Sequence, residues 1–93
     1  MIKSFADKET QKIYNQVFSN KFPMEIQDIV LRKLIMIANA NSIMDLKIPP
    51  GNKLEMLKGD RKGQYSIRIN SQYRICFNNA GNIFYNVEIV DYH

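Results

Sequence analysis

Hydrophobic periodicity changes once along this chain, and that change constrains the fold more than any other feature. Ile13, Tyr14, Val17 and Phe18 recur at helical spacing. A longer apolar run follows over residues 24–38. From Leu54 onward the period becomes two. Tyr65, Ile67 and Ile69 alternate with Gln64, Ser66, Arg68 and Asn70, and Tyr73, Ile75 and Phe77 alternate with Arg74, Cys76 and Asn78. Ile83, Tyr85, Val87 and Ile89 then alternate with Phe84, Asn86 and Glu88. The breaker Pro49-Pro50-Gly51-Asn52 lies between the two regimes. Helices first and strands afterwards predict an α+β chain. The expected architecture is two N-terminal helices packed on one face of a curved, mainly antiparallel sheet, in a single domain over residues 1–93.

The local signals refine this. Met1–Phe5 reads as a short first strand. Ser4 and Asp7 form an S-x-x-D pattern that opens a helix over about 7–19. Pro23 fits the first turn of a second helix that runs to about Asn39, because its missing N–H is not needed there. Around that helix Glu25, Asp28, Arg32 and Asn39 share one narrow polar face, and apolar residues cover most of the remainder. A surface helix needs only about a 100° apolar stripe. The excess predicts either a fully buried central helix or a face that awaits a partner.

Strand register follows from keeping the faces unmixed. A three-residue turn at Asn70–Gln72 pairs Ile69 with Tyr73, Ile67 with Ile75 and Tyr65 with Phe77. A second turn, Asn79–Asn82, keeps the last strand in phase. This register sets Arg68 opposite Arg74 on the polar face, where two cations repel. It places Tyr92 on the same face, with Asp91 and His93 on the other.

Charge sharpens the picture. The net charge is +4, and it is concentrated. Lys53, Lys58, Arg61, Lys62, Arg68 and Arg74 stand against Glu55 and Asp60 alone in residues 53–74. A patch of this kind faces an anion, and nucleic acid is the obvious one. Lys53, Arg61, Lys62 and Arg68 are the candidate nucleic-acid-binding residues. The basic turn Lys58–Gly63 is not a phosphate-cradling P-loop, because the spacing and the following helix are absent. The lone cysteine, Cys76, excludes an internal disulfide, points to a reduced cytoplasmic setting and has no second imidazole to activate it. The single histidine, His93, argues against a zinc enzyme, so neither metal nor cofactor is expected. The first residues reach charge too soon for a signal peptide, and no apolar run is long enough to span a membrane.

Several motifs together resemble a known family. They are Met1-Ile2-Lys3-Ser4-Phe5, Ile48-Pro49-Pro50-Gly51-Asn52-Lys53-Leu54-Glu55, Leu57-Lys58-Gly59-Asp60-Arg61-x-Gly63-x-x-Ser66-Ile67, Arg74-Ile75-x-Phe77 and the terminal Val87-Glu88-Ile89-Val90-Asp91-Tyr92-His93. Their order and spacing resemble the HigB-type (plasmid maintenance killer) toxins of the RelE/ParE superfamily over essentially the whole chain. The resemblance implies a RelE-like fold and a ribosome-dependent mRNA endoribonuclease. It also implies a cognate helix-turn-helix, HigA-like antitoxin, bound in a heterotetramer. Carried over by position, the catalytic residues are Lys58, Arg74, Asp91, Tyr92 and His93. Some relatives carry His three residues before the motif lysine, where this chain has Glu55, so Glu55 joins the candidates. Two other readings belong to the same superfamily: a ParE-like gyrase poison, and a non-catalytic member that only occupies the ribosome or an antitoxin.

Overall fold

The structure, a computed structural model, describes residues 1–92; His93, a candidate catalytic residue, lies outside them. Two helices, α1 (Lys8–Tyr14) and α2 (Met24–Asn39), precede four strands. The strands are β1 (Glu55–Met56), β2 (Tyr65–Arg68), β3 (Tyr73–Ala80) and β4 (Ile83–Asp91). They lie in chain order in one antiparallel sheet. Short 3₁₀ turns at Ile43–Lys47, Pro50–Asn52 and Gly59–Arg61 fill the connections. The α+β expectation holds, with the helices against one face.

The helices differ from their sequence reading at the ends. The first is shorter than 7–19, and Asp7 rather than Ser4 caps it, its Oδ1 accepting the Thr10 N–H at 2.7 Å. The helix stops because Gln16 adopts φ 63°, a left-handed conformation that cannot continue it. Val17 and Phe18 are consequently left half exposed. The Ser4 hydroxyl instead accepts the Asn86 N–H at 2.9 Å. Pro23 is the N-cap of α2 rather than its first helical residue.

In α2, Ile26, Val30, Leu34 and Ile37 follow each other at three- and four-residue steps and are buried. They pack on Ile67, Ile75, Phe77, Phe84 and Val87 of the sheet. Truncating one such side chain to Ala costs about 2–5 kcal/mol, a large part of what a chain of this size has to spend. Met24 and Ile35 remain exposed. Between α1 and α2 a groove of about 410 Å³ is lined by Ile13, Val17, Phe18, Met24 and Leu31 among others.

The central register is the expected one: Tyr65 opposite Phe77, Ile67 opposite Ile75 and Arg68 opposite Arg74. The Asn70–Gln72 turn closes with the Asn70 Oδ1 accepting the Gln72 and Tyr73 N–H groups. Three expectations change. First, Met1–Phe5 is no regular strand: Ile2 and Phe5 make isolated parallel bridges to Phe84 and Val87. Second, the last turn tightens to Gly81-Asn82, since Ala80 still pairs with Ile83. Third, the β3–β4 register shifts between Cys76 and Asn78. Asn86, at φ 55°, supplies the extra residue of a bulge. The alternation of β4 therefore resets in mid-strand, and Phe84 and Val87 both point into the core.

Candidate active site

The bulge leaves the end of β4 in the expected phase, and the phase organises the polar face. Glu55, Ser66, Cys76 and Glu88 are successive partners across all four strands. One step along, Arg68, Arg74 and Val90 form a second row. Arg74 lies at the centre of this face. Its Nε donates to the Ser66 Oγ at 2.7 Å, and its Nη2 donates to the carbonyls of Lys53 at 2.6 Å and Ser66 at 3.4 Å. The Glu55 carboxylate approaches Nε to 3.8 Å. The Tyr92 ring lies 5.8 Å from the guanidinium carbon, a cation–π distance. The Arg74 side chain is only 11% exposed and that of Glu55 is 51% exposed. A nearly buried cation thus stands between an aromatic ring and a carboxylate that reaches solvent.

Arg61 sits differently. It bridges Gln64 at 3.0 Å and Glu88 at 3.3 Å, from the β2 side to β4. The bridge passes over β3, where Cys76 is fully buried. Burial pushes the Cys76 thiol pKa up, with Arg61 opposing the shift and Glu88 adding to it. An amide chain continues from Gln64 to Asn78 at 3.1 Å and from Asn86 to Asn78 at 3.2 Å.

The structure therefore brings together some of the candidates. Arg74, Tyr92 and Glu55 meet. Arg68 lies beside Arg74 as its cross-strand partner. Lys53 enters through its backbone carbonyl. Lys58 and Lys62 flank the exposed Gly59–Arg61 turn after β1. Asp91 pairs with Tyr73 in register and its carboxylate accepts from Gln72 at 3.2 Å, on the side away from Arg74. His93 is not among the described residues. Sequence reasoning missed Ser66. In sequence it is an ordinary polar residue of an alternating strand; in the structure it is buried and accepts the Arg74 Nε–H. Among the described residues, no group of three His, Cys, Asp or Glu side chains is placed to hold a metal ion.

The model of one protein family, described as HigB-like toxin, the RelE-like toxin of type II toxin-antitoxin system HigB, matches residues 3–93. The chain belongs to this family. Among HigB-like relatives, Toxin HigB-1 of Vibrio cholerae is 40% identical over 78 residues, which is 83% of this chain and 82% of that one. Endoribonuclease HigB of Proteus vulgaris is 32% identical over the full length of both chains. The toxin fold extends to a solved YoeB–YefM complex from Staphylococcus aureus, with TM-score 0.62 and 22% identity. That match covers 100% of this chain and 95% of the other. The RelE-like fold expected from the motifs is therefore the one observed.

Proposed function

We propose that this HigB-like toxin is a metal-independent endoribonuclease that cuts mRNA on the ribosome, in the cytoplasm, and so inhibits translation. The observation that carries the reading is the nearly buried Arg74 cation with Tyr92 on one side and the solvent-reaching Glu55 on the other. Family membership and the endoribonuclease name of the Proteus vulgaris relative support it.

The reaction asks for little more than these groups. The ribose 2′-hydroxyl attacks the adjacent phosphorus, a P–O bond forms, and the bond to the 5′-oxygen breaks. The products are a 2′,3′-cyclic phosphate and a 5′-hydroxyl. Glu55 takes the 2′-hydroxyl proton. His93 delivers a proton to the departing 5′-oxygen. Arg74 and Lys58 stabilise the extra negative charge of the five-coordinate phosphorus. Tyr92 holds Arg74 from its ring side. Lys53, Lys62 and Arg68 attract and position the backbone, while Arg61 contributes less because Glu88 already holds it. A helix-turn-helix antitoxin of HigA type keeps the toxin inactive in a heterotetramer, the assembly named for the Staphylococcus aureus YoeB–YefM pair.

The test is to map RNA ends on programmed ribosomes and on free RNA. New 5′-hydroxyl ends paired with cyclic phosphates, lost by about 10²–10⁴-fold in Glu55→Gln or His93→Ala, are expected. DNA breaks dependent on gyrase, with RNA left intact, would overturn the reading.

A further inference from the structure

We infer that Ser66, together with the backbone carbonyl of Lys53, is the clamp that aims Arg74 at the scissile phosphate; Ser66 is thus a positioning residue of the RNA-cleaving reaction. The inference rests on the reading above and adds to it a residue that neither charge nor motif singles out.

The geometry is that of a clamp. A guanidinium carries five N–H donors in a rigid fork. Ser66 Oγ takes Nε–H, and the Lys53 and Ser66 carbonyls take Nη2–H. These contacts fix the plane of the fork. Among the described residues Nη1 has no acceptor, so its two N–H groups are left for an anion. Ser66 lies diagonally across from Arg74, since its direct partner is Cys76, and a long side chain reaches that far. Ser66 is fully buried, so water does not compete for its hydroxyl.

The chemistry of the clamp matters as much as its shape. Every clamping atom is a neutral oxygen. A carboxylate at the same distance would orient Arg74 and cancel its charge. A hydroxyl and two carbonyls orient it and leave the charge for the transition state. Glu55 forms an ion pair with Nε at 3.8 Å, beyond hydrogen-bond length, and its half-exposed carboxylate is screened by solvent.

The second jaw is held at a cost. Lys53 adopts φ 44° and ψ 52°, a left-handed conformation that disfavours any side chain and that glycine takes freely. The preceding Asn52 is fully buried. Its amide donates to the Leu46 carbonyl at 3.0 Å and the Ile48 carbonyl at 3.4 Å, while its oxygen accepts from Lys33 Nζ of α2. This anchor fixes the turn, and the turn directs the Lys53 carbonyl at Arg74. A strained residue kept where its carbonyl touches a functional side chain is the pattern expected of pre-organisation.

The experiment uses Ser66→Ala in the full-length toxin. Its expected kcat for RNA cleavage is lower by roughly 10–100-fold, the scale of a small misplacement of a catalytic group, with KM within about twofold of wild type. The hydrogen bond to buried Ser66 should give wild type a sharp, slowly exchanging Arg74 Nε–H resonance, which should broaden or vanish in Ser66→Ala while the thermal midpoint stays near wild type. On an Arg74→Ala background the Ser66 substitution should have no further effect on kcat. An unchanged kcat, or a loss fully additive to that of Arg74→Ala, would overturn the proposal. If the wild-type toxin cuts no RNA, the reading above fails on that result alone. The Nε–H signal still judges the clamp: its persistence in Ser66→Ala overturns it, and its loss supports it.

Discussion

Of the arginines on the polar face, Arg61 and Arg74 have the most different surroundings. Arg61 is 36% exposed and tied directly to the Glu88 carboxylate. Arg74 is 11% exposed and held by a hydroxyl and two carbonyls, with its carboxylate neighbour at 3.8 Å and half in solvent. Composition and charge alone give the two equal standing, as cations in one basic stretch, and only the motif resemblance sets Arg74 apart. Their partners separate them. A cation held by a carboxylate has its charge largely answered and serves to tie strands together. A cation whose hydrogen bonds all go to neutral oxygens, with its one carboxylate at 3.8 Å and half in solvent, keeps more of its charge for an incoming anion such as a phosphate or its transition state.

The sharpest way to break this comparison is to truncate both. Arg74→Ala is expected to lower kcat for RNA cleavage by about 10²–10³, the cost of one charge-stabilising donor. Arg61→Ala is expected to lower it by less than about tenfold and to destabilise the fold by under about 1 kcal/mol, since the ion pair is partly solvated. Parallel cleavage assays and thermal unfolding check both. Equal losses of activity would show that the ion pair with Glu88 does not silence Arg61.

A gentler change sharpens the same contrast. Glu88→Gln removes the carboxylate and leaves an amide of similar size, which frees Arg61 to meet a phosphate. RNA binding should tighten, and its logarithmic dependence on salt should steepen by up to about 0.7, the increment for one added contact to a single strand. Titrations with a non-cleavable RNA at several salt concentrations measure it. An unchanged slope would mean that Arg61 does not reach the nucleic acid even when released.

The residues themselves explain how much of this was legible in the sequence. Alternation and turn length were enough to pair Tyr65 with Phe77 and Arg68 with Arg74, because any slip mixes apolar and polar faces. The motifs pointed to Arg74, Tyr92 and Glu55, which the fold brings together. The phase of early β4 was not legible: it depends on Asn86 adopting φ 55°, which Asn tolerates but does not announce. The end of α1 depends in the same way on Gln16 at φ 63°. Ser66 was invisible for another reason. Its role arises from a side chain on the next strand lying across it, a tertiary contact that strand periodicity does not encode. The exposed apolar residues follow the same logic. Helical spacing put Val17 and Phe18 in α1, but the helix ends at Tyr14, and both residues line the α1–α2 groove.

The smallest expected effect concerns the lone cysteine. Cys76 is fully buried, and the Arg61 bridge from Gln64 to Glu88 crosses the strand that carries it. Burial raises the thiol pKa above its ordinary 9.0. The folded state therefore keeps its proton at a pH where the unfolded chain has begun to lose it. As pH rises past 9.0, the unfolded state is favoured and this contribution to stability declines. At neutral pH the native thiol should react with iodoacetamide far more slowly than an exposed cysteine, because both access and thiolate are scarce. The two arginines again part company. Arg61→Ala lifts the side chain that spans β3 and should speed alkylation by several-fold. Arg74→Ala, whose side chain turns toward Ser66 and Lys53, should change it less. Mass-spectrometric rates of modification for the three proteins decide the order. A larger acceleration in Arg74→Ala would make Arg74 the principal roof over the thiol and would weaken the view that Arg61 is the structural member of the pair.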